Sequence, residues 1–173
     1  MLALLLMVGC GESEFERTKR LAEGGDKEAQ NHLGFMYGRG KGVPQDSKEA
    51  VKWYTKASEQ GDAMAQFNLG LMYRNGEGVP QDDKEAVKWW TKAAEQGDAK
   101  AQNNLGVMYY KGEGVLKDYV TSYVWFNIAA ANGYEFAKKN KPIVTKKMTP
   151  EQITKAEVLA KEMVKKNPKL INE

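Results

Sequence analysis

His32 is the single histidine of this 173-residue chain, and Cys10 is its single cysteine. Hydrolytic triads and most zinc sites require histidine beside a nucleophile or beside further ligands. A lone histidine predicts no metal site, and any Ser-His-Asp triad would have to use His32, for which the sequence offers no geometry. A Ser-x-x-Lys nucleophile motif is also absent at the serines, which are Ser13, Ser47, Ser58 and Ser122. The residue types therefore predict a protein without catalytic residues, metal or cofactor.

Three glycine-rich phrases are the next group with potential chemistry. They read GRGKGV at 38–43, NGEGV at 75–79 and KGEGV at 111–115. A phosphate-binding loop needs a preceding strand and a following Lys-Ser or Lys-Thr pair, and both are missing here. We expect these glycines to end helices and to form turns, because glycine tolerates a positive φ.

The N-terminal stretch MLALLLMVGC contains the lone cysteine. Its apolar run is too short to span a bilayer but suits the core of a secretory signal. Met7-Val8-Gly9-Cys10 resembles the bacterial lipobox, which implies a signal at 1–10 and lipidation of Cys10, with Gly11 pointing to the outer membrane. No Lys or Arg precedes the run, which leaves open a start site placed too late, an unprocessed apolar N-terminus, or a fragment of a longer segment.

The overall charge limits the partners. The net charge is +3, with 28% charged and 42% hydrophobic residues, which is too weakly basic to predict nucleic-acid binding. From residue 134 onward, ten lysines stand against five glutamates. We expect that basic end to be a solvated surface, with contact to an anionic surface as the alternative. The predicted partner is a protein or peptide, and the membrane is reached only through a lipid anchor at Cys10.

An internal repeat organises the chain. Alanines recur every 36 residues, and segments 29–64 and 65–100 are identical at 26 of 36 positions. Segment 101–136 keeps the first half of the pattern. The expected divisions are a signal-like segment at 1–10, a partial repeat at 13–28, repeats at 29–64, 65–100 and 101–136, and C-terminal capping helices at 137–173.

Each copy predicts two helices. The first begins at an N-cap, Asp62 in the middle copy, and ends at Asn75-Gly76. The second begins at Asp82, where Glu85 three residues later resembles a capping box, and it carries adjacent tryptophans on its apolar face. Such a pair cannot bury its apolar face alone, so neighbouring copies must stack into an all-α solenoid.

The end of the chain predicts a cap for this stack. The second helix of segment 101–136 is apolar on most sides, which indicates cover from further helices. One is expected to end irregularly near Pro142. A closing helix begins with Thr149 as N-cap and Gln152 as capping-box partner. Its apolar stripe is predicted to comprise Ile153, Ala156, Val158, Leu159 and Met163.

The pattern A-x-x-x-LG-x-MY-x-x-G-x-GV-x-x-D-x-x-x-A-x-x-W-x-x-x-A-A-x-x-G resembles the Sel1-like repeat, a relative of the tetratricopeptide repeat. The resemblance covers residues 13–166, with Leu116-Lys117 replacing the usual Pro-Gln. It implies a right-handed superhelix that holds partner proteins or peptides. Bacterial members are often exported, so the resemblance also implies a bacterial envelope protein.

Differences between the copies predict where a partner binds. The first helices differ at their third, fourth, seventh, tenth and eleventh positions, which share a sector of about 120° on a helix. First helices line the concave side in related solenoids, so this sector is the expected groove wall. Amides there suit a peptide backbone, and aromatic side chains suit interface hot spots. The candidate binding residues are Asn31, His32, Phe35, Arg39, Phe67, Asn68, Leu71, Arg74, Asn103, Asn104, Tyr110 and Lys111.

These observations predict a non-catalytic binding scaffold of the bacterial cell envelope, monomeric and either periplasmic or attached to the outer membrane. A cytoplasmic location is the alternative if the N-terminal segment is not a signal. Two other functions stay open. A β-lactamase-like or penicillin-binding enzyme is disfavoured. The similar bacterial proteins to which those activities are ascribed carry paired cysteines in each repeat, which this chain lacks. An immunity-type inhibitor of one toxin is a special case of the scaffold.

Overall fold

The computed structural model describes residues 12–171. Within that range it consists of α-helices and one short 3-10 helix. In chain order these are α1 (Glu14–Glu23), α2 (Lys27–Arg39), α3 (Ser47–Glu59), α4 (Ala63–Asn75), α5 (Asp83–Glu95), α6 (Ala99–Lys111), α7 (Tyr119–Ala131), α8 (Glu135–Thr145), α9 (Pro150–Lys166) and the 3-10 helix Pro168–Leu170. The predicted signal segment at 1–10, including Cys10, lies outside the described residues.

The helices pack in pairs along the chain. We call α2, α4 and α6 the first helices and α3, α5 and α7 the second helices. Each first helix packs on the second helix of its own pair, and α3–α4 and α5–α6 contacts join one pair to the next. Helices that begin successive pairs also touch, since α2 contacts α4 and α6 contacts α8, which follows the last pair. This stack confirms the expected all-α solenoid of helix–turn–helix repeats.

The first helices begin and end as predicted. An aspartate precedes each one, and its side chain accepts a hydrogen bond from the backbone N–H three residues on, at 2.7 Å in Asp26, Asp62 and Asp98. Each helix ends at a glycine in the left-handed region, where φ is 70° at Gly76. That backbone conformation disfavours other residues, so the copies keep glycine there.

The second helices begin differently from the expected capping box. The Asp82 carboxylate accepts from the backbone N–H of Lys84 and Glu85, as predicted. The reciprocal bond is not formed, because the N–H of Asp82 already donates to the carbonyl of Tyr73 at 2.9 Å. The Glu85 side chain instead lies 3.0 Å from Lys88 Nζ. The capping box at Thr149 and Gln152 is complete.

Close approach within each pair requires a glycine inside the first helix. A Cβ added to Gly70 would lie 2.5 Å from Trp90 Nε1, and one at Gly106 would lie 2.6 Å from the Phe126 ring. Trp90 is 3% exposed, and its indole N–H donates to the carbonyl of Phe67 at 3.1 Å. Glycine at these positions therefore allows the close helix packing, and both tryptophans of α5 are buried.

A buried row of amide side chains joins the repeats, and the sequence analysis did not anticipate it. Gln30, Gln66 and Gln102 recur every 36 residues and are at most 5% exposed. Each donates to a backbone carbonyl eight residues earlier, at 3.0–3.1 Å. Each also accepts a bond of 2.8 Å from the end of its own second helix, from Gln60, Gln96 and Asn132 respectively. We call these six residues the amide ladder.

The C-terminal helices close the stack on α7, as expected. Three details differ from prediction. Pro142 lies inside α8, which continues to Thr145. Val158 is 50% exposed, because it lies on the outer side of α9. Ala160, which the predicted stripe did not include, is buried. After α9 the chain turns back, so that buried Leu170 accepts bonds from Gln102 and Asn132. None of the described helices is long and apolar enough to span a membrane.

Candidate protein-binding surface on the first helices

The predicted binding residues fall into three classes by burial. Positions four, seven and eleven of the first helices are open or half-open to solvent, and position ten faces the junction with the next repeat. Position three is largely covered by the helix that follows in the stack. We call the open set the first-helix surface. It comprises His32, Phe35, Arg39, Asn68, Leu71, Asn75, Asn104, Val107 and Lys111.

Position three corrects part of the prediction. Asn31 is 8% exposed and Asn103 is 7% exposed, so these two amides are packing residues. Asn103 accepts a hydrogen bond of 3.0 Å from Asn140 on α8, the helix that follows it in the stack. Phe67 is half-buried, with the Lys100 ammonium 5.9 Å from its ring. The cause is the contact with the helix that follows in the stack, which covers position three and shields it from solvent.

Position ten varies in a way that changes each junction. Arg74 bridges two repeats, with one nitrogen 3.1 Å from Asp83 Oδ1 and another 2.6 Å from Glu113 Oε2. Tyr110 lies against Tyr119 with ring centroids 5.6 Å apart. Arg74 therefore helps to hold two repeats together, whereas Tyr110 contacts the second helix of its own repeat. At the first junction the equivalent residue is Gly38, which has no side chain to offer.

A cleft lies at that first junction. It has a volume of about 440 Å³ and opens between α2 and α4. We call it the junction cleft. Its lining consists of Gly38, Arg39, Gln45, Ser47, Tyr54, Asn68, Leu71, Met72, Asn75 and Glu77. Eight of these ten residues stand at positions where segments 29–64 and 65–100 differ, the exceptions being Gln45 and Met72. Sequence variation between the copies is thus concentrated around one cavity.

The lining is polar and carries both charges. Burial raises the pKa of Tyr54 to about 12, with the nearby Arg39 guanidinium lowering it by a smaller amount. The phenol is therefore neutral at physiological pH and able to donate and accept hydrogen bonds. The side chain of Gln45 donates to the carbonyl of Gly38 at 3.0 Å, and that of Asn75 donates to Glu77 at 2.9 Å. Such a lining suits hydrogen bonding to a polar ligand.

Two of the second helices, α3 and α5, present a contrasting surface. Lys56 and Lys92 lie 4.2 Å from the rings of Trp53 and Trp89, respectively. Lys88 pairs with Glu85 at 3.0 Å, and the preceding repeat forms the same pair. This surface repeats its contacts from copy to copy and pairs its charges internally. It therefore provides a suitable control region for tests of the first-helix surface.

Sequence comparison of the first helices alone missed part of this site. Ser47, Tyr54 and Glu77 come from the second helix and the turns, yet they also differ between the copies. Extending the comparison to all 36 positions would have pointed to them. No group of three or more His, Cys, Asp and Glu residues between positions 12 and 171 is arranged to hold a metal ion. The arrangement is suited to recognition through hydrogen bonds, charge and apolar contact.

Comparisons with known proteins agree with this architecture. A family model described as the Sel1 repeat matches residues 27–62, 63–98 and 99–134. These units have the expected period of 36 but begin two residues earlier than our divisions, at the starts of the first helices. No match was found among curated proteins. Proteins with Sel1 repeats are generally non-catalytic scaffolds for protein interactions.

Two solved bacterial structures are similar to this chain. One is a Sel1 repeat protein from Oxalobacter formigenes, with 38% identity and a TM-score of 0.71, over 75% of this chain and 55% of that one. The other is a protective antigen of uropathogenic Escherichia coli that displays an SLR fold, with 34% identity and a TM-score of 0.60, over 90% of this chain and 42% of that one. Our chain thus spans less than two thirds of either relative. With three matched repeats and this fold, the chain belongs to the Sel1 repeat family.

Proposed function

We propose that this protein is a non-catalytic scaffold that binds an extended peptide segment of a partner protein along the first-helix surface. The observation that carries the proposal is the concentration of copy-to-copy differences around the junction cleft. Residues that only support the stack are kept between copies, because every repeat must pack against the next. Residues that vary around one cavity are free to match a particular ligand.

The chemistry of the surface favours a peptide. Asn68, Asn75 and Asn104 supply amides that donate and accept, and an extended backbone presents both kinds of group. Phe35 is 42% exposed and lies on this surface, where an aromatic side chain can anchor an apolar residue of the partner. Exposed Arg39 and Lys111 add positive charge at one end of the first helices.

Site-specific photocrosslinking tests this surface. We expect p-benzoylphenylalanine at Phe35 or Asn75 to form adducts with one partner protein in living cells of the native host. The matched control is the same probe at Lys88, which is exposed on α5. Adducts from the first-helix positions alone, measured by immunoblot and mass spectrometry, are the expected result. Adducts from Lys88 with equal yield, or from Lys88 alone, would contradict the assigned surface.

We further propose that the scaffold acts in the bacterial cell envelope, anchored by a lipid on Cys10. The support is the lipobox-like stretch Met7-Val8-Gly9-Cys10. The full chain is expected to incorporate an alkyne-tagged fatty acid and to sediment with membranes, whereas Cys10→Ser should lose both properties. A parent protein that takes up no label and stays in the soluble fraction would refute the anchor while leaving the binding surface untouched.

A further inference from the structure

The junctions between repeats hold different groups at one equivalent place. At the second junction Arg74 reaches Asp83 and Glu113. In the next repeat the equivalent residue is Tyr110, which contacts Tyr119 of the same repeat. At the first junction the residues that correspond by the 36-residue spacing to Arg74, Asp83 and Glu113 are Gly38, Ser47 and Glu77. The first junction therefore keeps the distal carboxylate of this arrangement and lacks the arginine.

The missing side chain leaves open space. A Cβ added to Gly38 would meet only the Ala50 methyl, at 3.6 Å, which is an ordinary contact. The volume beyond it is the junction cleft. At the second junction the corresponding region contains the Arg74 side chain, which is 28% exposed. A smaller cleft of about 220 Å³ remains there, lined in part by Arg74. The cleft around the position of the arginine side chain is thus about twice as large at the first junction as at the second.

The carboxylate at the cleft lacks a cation. Among residues 12–171, no lysine, arginine or histidine lies within 4.0 Å of the Glu77 carboxylate, which is held by the neutral amide of Asn75. Its counterpart Glu113 has two cations, Arg74 at 2.6 Å and Lys111 at 3.8 Å. An unpaired carboxylate at a polar cavity is complementary to a cationic ligand.

Arg39 does not prevent a cation from binding there. It lies at the edge of the cleft, and it is exposed. Like the other cations among residues 12–171, its guanidinium lies more than 4.0 Å from the Glu77 carboxylate, which therefore stays open to a ligand.

We propose that the junction cleft binds the guanidinium group of an arginine side chain from a partner peptide, with Glu77 as its principal acceptor. This deepens the proposed scaffold function and rests on it for the identity of the occupant. Arginine is favoured over lysine because its planar fork offers five donors, enough to engage a carboxylate together with neighbouring oxygens. The Ser47 hydroxyl and the Asn68 amide line the same cavity as acceptors.

N-acetyl-L-arginine amide is the probe for this subsite, titrated into the full chain. Backbone and side-chain amide signals in nitrogen–proton correlation spectra report binding, and we expect shifts centred on Asn68 and Asn75. The citrulline analogue has nearly the same shape but no charge, and Glu77→Gln removes the acceptor charge. Each change should weaken binding at least about tenfold, because a charge-assisted pair is lost. Equal binding of arginine and citrulline, or by parent and Glu77→Gln, would overturn the proposal.

A filled variant provides an independent test. Gly38→Arg together with Ser47→Asp rebuilds the Arg74–Asp83 arrangement, with Glu77 in place of Glu113. It should lose the arginine shifts and unfold at a higher temperature, whereas Lys88→Ala, on the exposed side of α5, should bind the probe like the parent. Unchanged probe binding by the filled variant would place the site elsewhere. If the double variant does not fold, the Glu77→Gln comparison still decides the proposal.

The two proposals fail in different ways. If the Phe35 photoprobe captures a partner equally well in the filled variant and the parent, the scaffold function stands and the cleft is not its arginine subsite. If the arginine probe binds the cleft but no partner is captured from the first-helix surface, the subsite stands and the extended peptide surface is wrong.

Discussion

Gly70→Val is expected to lower the free energy of unfolding by about 3 kcal/mol. Even the first carbon of a new side chain would lie 2.5 Å from Trp90 Nε1 and 2.6 Å from Trp90 Cδ1. The indole cannot retreat freely, because it is buried and bonded to the Phe67 carbonyl. Overpacking a dense core costs about 1–3 kcal/mol, and losing the indole hydrogen bond adds about 1 kcal/mol. Urea denaturation followed by tryptophan fluorescence measures the loss.

Gly38→Ala is the matched control for that substitution. It adds a single methyl group to a glycine of another first helix, where the nearest atom is the Ala50 methyl at 3.6 Å. Because alanine favours helix more than glycine does, this variant should gain about 0.5 kcal/mol. A loss in Gly38→Ala as large as that in Gly70→Val would show that contact with Trp90 is not what makes a side chain costly at Gly70.

Gln102→Leu is expected to cost about 3 kcal/mol, although it replaces a polar core residue with an apolar one of similar size. Gln102 is 0% exposed and donates to the carbonyls of Ala94 and Leu170. It also accepts from Asn132 at 2.8 Å. Each of these bonds contributes about 1 kcal/mol, and the groups left behind are shielded from water. Thermal unfolding by circular dichroism gives the total change.

Gln66→Leu separates the general effect of the ladder from the local one. Gln66 makes two such bonds, to the Ser58 carbonyl and from Gln96, so its loss should cost about 2 kcal/mol. Hydrogen exchange provides the second readout. Faster exchange at Leu170 is expected in Gln102→Leu and not in Gln66→Leu, since Gln102 alone of the two bonds the C-terminal segment. Unchanged exchange in both variants would contradict this role.

The features that the sequence predicted well are local. They are the N-cap aspartates, the glycine helix ends and the 36-residue period. Each depends on residues close together in the chain, and each occurs in more than one copy of the repeat. Thr149 and Gln152 formed their capping box because nothing else competes for the bonds. The box at Asp82 was only half formed, because the Tyr73 carbonyl, nine residues away, occupies the N–H. Such competition depends on the packing of two helices and is not visible in a four-residue motif.

The features that were missed depend on how one repeat is placed against the next. Asn31 and Asn103 vary or recur like surface residues, but they are covered by the helix that follows their own pair in the stack. Arg74 was predicted to line the groove, but it bonds Glu113, which lies 39 residues later in the chain. The angle between successive repeats decides both outcomes, and no single repeat encodes it. The ladder glutamines did carry a signal, since an invariant glutamine on a packed face requires buried partners.

The open first junction links ligand binding to the stability of the N-terminal end. At the second junction Arg74 links two repeats through Glu113, whereas the first junction has an open cleft of about 440 Å³. A ligand that bonds both walls of the cleft would link the first two repeats. Part of its binding free energy would then appear as resistance of α1 and α2 to detachment from the rest of the stack. By mass action, this resistance would rise with ligand concentration. The protein would then be least cooperative when empty, and its first repeat would fray before the others.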